Sequence, residues 1–404
     1  MSGFDRRLAW SGAGGGGAVR VVRRVPVAIL GGSGYGGGEL LRLLGAHPGF
    51  EVTQIASRHH AGRAVHEVHR GLLGLTQLTF GAEPDLAGLL ADGPAFLVSA
   101  LPAGEGAKAL GSVLGWAAAR KAAQRAAAAS GAAVVAAADP RVTTAPGGPA
   151  VADAVIDLAA DWPDGLSVID LGPDLRPGGP HASGAREALF PLARYGLVEL
   201  NRAALEGARL VANPGCFATA LQLAIAPLVA TGLRGFVAAD GATGSSGSGA
   251  LPSETTHHPR RHSDYRAYRL EGHAHVAEVQ AQFADAGLRL SFVAHSAPFV
   301  RGIFVTVHAP RESFASGLPA PDFLREFYRD EPLVRVRDDS PRVLDVAGTA
   351  FCDLSMTVRG DHVVVCAALD NLGKGMAAQA VQNMNLLAGY PETTGLLSPA
   401  LGPV

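Results

Sequence analysis

The side chains in this chain with the clearest chemical promise are one cysteine and a pair of histidines. Cys216 ends the turn Asn213-Pro-Gly215, between the short apolar run Arg209-Leu-Val-Ala212 and an alanine-rich helical pattern from Ala218 to Val229. A thiol at a helix N-terminus faces unpaired N–H groups and the positive end of the helix dipole, and both favour the thiolate, hence a nucleophile. The alternative reading of such a cysteine is a small buried residue at a strand–turn–helix joint. Gly272-His273-Ala-His275-Val-Ala-Glu278 opens a second helical pattern. Two histidines with a glutamate in reach are candidates for an oriented acid–base.

Other polar runs have weaker claims. Arg301, in Ser296-Ala-Pro-Phe-Val-Arg301-Gly302, either holds a carboxylate or phosphate in a bidentate fork or pairs with a surface acid. Gly241-Ala-Thr-Gly-Ser-Ser-Gly-Ser-Gly249, after the strand-like Phe236–Asp240, reads as a linker or as an anion-holding loop. His257, His258 and His262 look metal-like, but no thiolate or well-spaced third ligand accompanies them, so no metal site is expected. Asp370-Asn371-Leu-Gly-Lys374-Gly375 leads into a helical run from Met376 to Leu387.

These groups need elements to hold them. Val25–Leu30 reads as a buried parallel strand, Gly31-Gly-Ser-Gly34-Tyr-Gly-Gly37 as a turn, and Glu39–Leu44 as a helix. Strand, glycine turn and helix are the context of a dinucleotide site, although the spacing Gly31-x-x-Gly34-x-x-Gly37 departs from the commonest fingerprint. The strand Phe50–Ala56 ends in Ser57-Arg58 instead of a ribose-binding acid, which suggests a 2′-phosphate and so NADP, against an ordinary surface arginine. Ala95–Leu101 is a further strand, ending in Pro102-Ala-Gly104. From about 105 to 150 the chain is alanine-rich and charge-poor, with a long helix over Trp116–Ala129 and a loop over Ala138–Pro149. Val155-Ile-Asp-Leu-Ala-Ala-Asp161 is nearly repeated at Val168-Ile-Asp-Leu-Gly-Pro-Asp174, either as neighbouring strands or as one strand and an imitation.

Bulk properties bound the function. A chain of 404 residues has room for two domains. Its 34 basic and 36 acidic residues argue against an electrostatically driven nucleic-acid or membrane-surface binder. Cysteines at 216, 352 and 366 form no disulfide framework, so a reducing, cytoplasmic setting is expected. No apolar run reaches spanning length, and Met1–Val21 lacks the apolar centre of a secretory signal. Residues 1–24 are read as a flexible extension.

Five motifs, in order, resemble the N-acetyl-γ-glutamyl-phosphate reductases of arginine biosynthesis over roughly Val25 to Leu396. They are Gly31-x-x-Gly34-Tyr35, Asn213-Pro-Gly-Cys216 with Thr219-Ala220, Gly272-His273-Ala-His275-x-x-Glu278, Arg301-Gly302-Ile303, and Asp370-Asn371-Leu-x-Lys374-Gly375 with Gln379–Asn385 and Pro391–Gly395. Ala103 stands where the family usually has histidine, and the link before Ile169-Asp170-Leu-Gly-Pro-Asp174-Leu-Arg176 is longer than usual. That second copy fits the family best because it retains Arg176.

The resemblance implies an α/β fold like that of the aspartate-semialdehyde dehydrogenases. A Rossmann-like NADP-binding domain (25–212 plus 371–404, with an insertion at about 105–150) would join an α+β substrate and dimerisation domain (213–370). It implies NADPH-dependent reduction of a small-molecule acyl phosphate through a Cys216 thioester. His273, favoured over His275, would be the base, with Glu278 orienting the imidazole. The implied cofactor contacts are Gly31, Ser33, Gly34, Tyr35, Gly36, Ser57, Arg58, Pro102 and Asn371. The implied substrate contacts are Asn213, Arg176, Ser246, Gly247 and Arg301. A homodimer or homotetramer is implied as well. The alternatives are a sister reductase for a carrier-linked aminoadipyl or N-succinyl phosphate, an aspartate-semialdehyde dehydrogenase, and a catalytically silent dinucleotide sensor.

Overall fold

Two sheets, the first with an apolar cluster on each face and the second with its own, bring these motifs together. The computed structural model describes residues 24–130, 158–180, 184–315, 317–320 and 322–402. The first sheet contains β1 (Val25–Leu30), β2 (Phe50–Ala56), β3 (Ala95–Ser99), β4 (Leu166–Asp170), β5 (Arg194–Tyr195) and β6 (Leu210–Ala212). Its order is β2-β1-β3-β4-β6-β5, and every pairing is parallel. Parallel strands covered on both faces must be apolar throughout, and β3 is buried at all five residues. The strand order reverses beside β1, so the carboxyl ends of β1 and β3 open the crevice where such sheets bind ligands.

The alanine-rich region begins as part of this core and not as an insertion. Gly106–Ser130 is one long helix crossing from β3 to β4, longer than the expected Trp116–Ala129. Ala107, Leu110, Leu114, Ala118 and Ala122 recur at helical spacing and are buried against the sheet. The expected loop over 138–149 lies outside the described residues. Of the two near-repeats, the second supplies β4. Leu158–Ala160 in the first forms a turn, and residues 155–157 lie outside the described ones.

The second sheet holds β7 (Phe236–Thr243), β8 (Arg266–Tyr268), β9 (Arg289–Ser296), β10 (Ile303–Pro310), β11 (Val334–Val336), β12 (Cys352–Arg359) and β13 (His362–Leu369). Its order is β11-β12-β13-β10-β7-β9-β8. It is mixed: β7 runs parallel to β9 and β11 to β12, and the other pairs are antiparallel. The helix Cys216–Ala230 lies on this sheet and is covered all round, because Phe217 to Leu228 are buried without a break. Pro227 inside it cannot donate to the carbonyl of Leu223, and the Tyr328 hydroxyl takes that place at 2.5 Å.

The chain then returns to the first sheet. Helix Ala378–Leu387 packs its Ala380, Val381 and Met384 into the cluster around β1 and β3. It is preceded by one π-helical turn, Gly373–Ala377, with Gly375 N–H donating to Asp370 O and Ala377 N–H to Leu372 O, each at 2.8 Å. Lys374 in that turn is fully buried and donates to Glu199 and Gln382, both at 2.5 Å. No helix among the described residues is long and apolar enough to cross a membrane.

Candidate active site

Cys216 is the first residue of its helix, and Gly215, the N-cap, offers no side-chain cap. The turn needs glycine because a Cβ at 215 would fall 2.3 Å from Nε2 of His275. Gly375 of the π-helical turn closes the other side, where a Cβ would lie 2.8 Å from that of Cys216. His275 sits in the first turn of helix Ala274–Gln282, whose N-cap is His273. The Nδ1 of His273 accepts the His275 backbone N–H at 3.2 Å, and the two rings meet edge to face with centroids 4.6 Å apart. His273 thereby caps a helix, whereas His275 lies against the nucleophile turn.

Glu278 ties the site together from one turn further on. Its Oε2 accepts the Gly215 N–H at 2.9 Å and the Tyr195 hydroxyl at 2.8 Å. Its Oε1 lies 3.7 Å from Arg176 Nη1 and 3.9 Å from His275 Nε2. Arg176 in turn donates to the carbonyls of Asn213 (2.7 Å) and Leu171 (2.5 Å). Its guanidinium pins the nucleophile turn and supplies the positive charge beside the thiol.

Burial opposes the helix N-terminus at the thiol. Burial pushes the Cys216 thiol up to about 11, against the downward pull of Arg176 and of the helix amides of Phe217 and Cys216. His275 is pushed down to about 3, first by burial and then by Arg176 and Arg269. Burial also takes His273 down to about 3. Burial thus favours thiol and neutral imidazole, against the thiolate that the helix N-terminus favours. Burial raises Glu278 too, with Arg176, Gly215 and Tyr195 opposing it.

The dinucleotide cradle is open and pre-shaped. Gly31, at φ +72°, lies against Ala100 O, and Gly32 against Ile55, so side chains at either would collide. Gly34 caps helix Tyr35–Gly45 without a side-chain bond, and a Cβ there meets nothing nearer than 4.0 Å. Free N–H groups at such a terminus suit a pyrophosphate. Gly36 packs under the sulfur of Met376. Tyr35 is half exposed beside the loop. Ser57 bonds Ser33 at 3.0 Å, joining the end of β2 to the loop. Arg58 extends into solvent, held by Glu83 at 3.0 Å. Pro102 follows β3 at the crevice, and Asp174 bonds the N–H groups of Gly104 and Ala107 just beyond it. The glycine cradle fits a nicotinamide dinucleotide.

Several expected contacts serve the scaffold instead. Arg301 is clasped by Glu39 (2.8 and 3.1 Å) and Asp370 (2.8 Å), so it joins the helix after the glycine loop to the second sheet and has no free fork for substrate. Asn213 is fully buried, its amide donating to Met376 O. Asn371 accepts from Gly302 N–H and donates to Ser246 Oγ, so its amide ties the ends of two loops of the second sheet together. Ser246 also donates to Val300 O. The N–H groups of Ser245, Ser246, Gly247 and Gly249 all bond carbonyls, so this loop is not an anion nest, although Gly247 itself is exposed. His257, His258 and His262 lie on short exposed turns, and no metal-like cluster exists among the described residues.

Three neighbours of the site carry no mark in the sequence. Tyr195 lies 83 residues before Glu278, with no local signal to mark it. Tyr268 faces the thiol, and burial followed by the Cys216 charge raises it to about 12. Among the described residues, Arg269, at φ +52°, is one of two non-glycine residues in the left-handed region, the other being Ser263 at φ +62°, and both precede His273.

Comparison with known proteins agrees with this geometry. Residues 26–208 match the semialdehyde dehydrogenase NAD-binding domain, and residues 216–371 the semialdehyde dehydrogenase dimerisation domain. The chain is similar to a protein of Methanothrix thermoacetophila named N-acetyl-gamma-glutamyl-phosphate reductase, 35% identical over 391 residues, covering 94% of this chain and 100% of the relative. One of the same name from Alkalilimnicola ehrlichii is 36% identical over 399 residues, covering 94% and 100%. In fold, the chain is similar to aspartate semialdehyde dehydrogenase II from Vibrio cholerae, with TM-score 0.59 and 16% identity over 91% of this chain and 99% of that one. The Candida albicans aspartate semialdehyde dehydrogenase with NADP gives TM-score 0.57 and 12% identity over 90% and 100%. The first sheet is therefore a nicotinamide-dinucleotide-binding unit, the second an oligomerisation unit, and the chain belongs to the N-acetyl-gamma-glutamyl-phosphate reductase family.

Proposed function

We infer that this chain reduces N-acetyl-γ-glutamyl phosphate to N-acetylglutamate 5-semialdehyde and phosphate, with NADPH as reductant, in arginine biosynthesis. The observation that carries the reading is the packing of His275 on Gly215, beside a partly buried thiol at the mouth of a dinucleotide cleft. Cys216 Sγ attacks the γ-carbonyl while His275, rather than His273, takes its proton. The C–O bond to phosphate breaks, His275 passes the proton to the departing group, and a thioester remains. Bound NADPH would supply hydride to the thioester carbon. The resulting thiohemiacetal collapses, the C–S bond breaks, and the Cys216 thiolate regains a proton from solvent. Arg176 and the N–H groups of Phe217 and Cys216 steady the negative charge on sulfur. Assistance by such a base is typically worth ~10²–10⁴-fold.

Gly31, Ser33, Gly34, Tyr35 and Gly36 would hold the pyrophosphate side of the cofactor, Ser57 and Arg58 its 2′-phosphate, and Pro102 would line the crevice. Residues 25–212 with 371–404 form the dinucleotide-binding unit, and 213–370 the substrate unit. The assembly is a homodimer or homotetramer working in the cytoplasm, a setting that suits three free cysteines. The test is phosphate-dependent reduction of NADP by N-acetylglutamate semialdehyde, run beside aspartate semialdehyde. Turnover is expected with the first; turnover with the second alone would overturn the reading.

A further inference from the structure

Glu278 is held from four directions, and one of them has no part in the reaction described above. Tyr195 lies on β5, the edge strand of the first sheet, while Glu278 lies on the histidine helix against the second. The Tyr195 hydroxyl donates to Glu278 Oε2 at 2.8 Å and accepts from Gln222 Nε2 at 2.9 Å. Gln222 is fully buried on the nucleophile helix, just under two turns beyond Cys216. A chain of bonds thus runs Gln222, Tyr195, Glu278 and back through the Gly215 N–H to the residue before the nucleophile. With Oε2 fixed by two donors, Oε1 is left facing Arg176 and His275.

We propose that Tyr195, supported by Gln222, is a positioning residue that keeps Glu278 ionised and turned toward His275, so that the imidazolium formed during attack by Cys216 is stabilised. The inference rests on the reaction proposed above. The charged and titratable groups facing Glu278 are Arg176 from the loop after β4, Tyr195 from β5, Cys216 from the nucleophile helix, and His273 and His275 from its own helix. Burial already favours the protonated carboxyl, so losing one donor to the carboxylate moves its titration further up. As pH falls, Glu278 then takes a proton earlier, and the support for the imidazolium fails earlier.

Tyr195→Phe keeps the ring and removes only the hydroxyl. The acid limb of kcat/KM should move up by about one pH unit, with kcat reduced about tenfold and the KM for NADPH unchanged. Gln222→Met should shift the limb less in the same direction, and adding it to Tyr195→Phe should change nothing more. An infrared titration of protein with 13C-labelled glutamate carboxyls, taken against Glu278→Gln, follows the same group without any substrate. Its midpoint should rise in Tyr195→Phe. Unshifted limbs or an unshifted midpoint in folded protein would overturn the assignment to Tyr195. Absence of turnover in the unmodified enzyme would count against the reaction instead, since the infrared midpoint would still report on Tyr195. Should Tyr195→Phe fail to fold, Gln222→Met alone decides by the same two readouts.

Discussion

His275 Nε2 occupies the space that a side chain on Gly215 would need, 2.3 Å from the position of a Cβ there. The glycine before the nucleophile is thus a seat for the imidazole as much as a turn residue. Gly215→Ala should drive the ring aside and lower kcat about 10²-fold, the scale of a misplacement of about 1 Å. NADPH binding, followed by cofactor fluorescence, should be retained. Full activity in this variant would show that His275 does not act on Cys216.

The neutral resting pair has a measurable consequence. A thiol near 11 leaves only about one molecule in 10⁴ as thiolate at pH 7. Alkylation of Cys216 by iodoacetamide should therefore be slow at neutral pH and climb through the alkaline range, as read by mass spectrometry of the modified peptide. A rate that levels off below pH 8 would contradict the neutral pair. Cys216→Ala should abolish turnover and leave cofactor binding intact.

The Arg301 clasp predicts a stability effect where a substrate contact would predict a KM effect. Removing the guanidinium leaves buried Glu39 with Arg42 alone and buried Asp370 with backbone N–H groups alone, at a cost of about 3 kcal/mol. Urea denaturation of Arg301→Gln should show that loss. Burial pushes the Glu39 carboxyl up, but its bonds to Arg301 and Arg42 outweigh burial and hold it below its ordinary value of 4.5. Its contribution is thus complete above the unfolded value and fades as pH falls below about 4.5 through the lower folded value. In Arg301→Gln the folded value should move up toward the unfolded one, so the loss of stability on acidification should be smaller. A raised KM with unchanged stability would restore the substrate role.

Arg58 is mostly exposed, and its pair with Glu83 contributes little to stability. Arg58→Ala should leave the melting temperature nearly unchanged. It should lower kcat/KM with NADPH about tenfold or more and leave the value with NADH alone. Equal losses with both cofactors would remove the 2′-phosphate assignment.

Sequence spacing exposed the strand–turn–helix joints well, because glycine and proline mark them locally. Gly31, Gly215 and Gly375 are needed for close backbone approach, and such residues announce themselves by type. Polar side chains do not announce their partners. Arg301, Asn371 and Ser246 stand in recognisable motifs, yet each is taken up by groups 54 to 262 residues away in sequence. The helix N-terminus at Cys216 was equally legible, but the depth of burial that outweighs it arises from two sheets closing together. The choice of His275 over His273 depends on which ring a helix cap engages, two residues apart in the same motif.

The π-helical turn Gly373–Ala377 touches both halves of the chemistry, with Gly375 against Cys216 and the Met376 sulfur against Gly36 of the dinucleotide loop. It also follows every strand of both sheets in chain order. During synthesis the first sheet emerges long before the helix Ala378–Leu387 that completes its core, so it must wait with an unfilled apolar face while the whole second sheet is translated. Nascent chains stalled before residue 373 should carry the nucleophile yet expose that face to chaperones, and the cradle and the thiol should reach their final form together, once that helix has emerged.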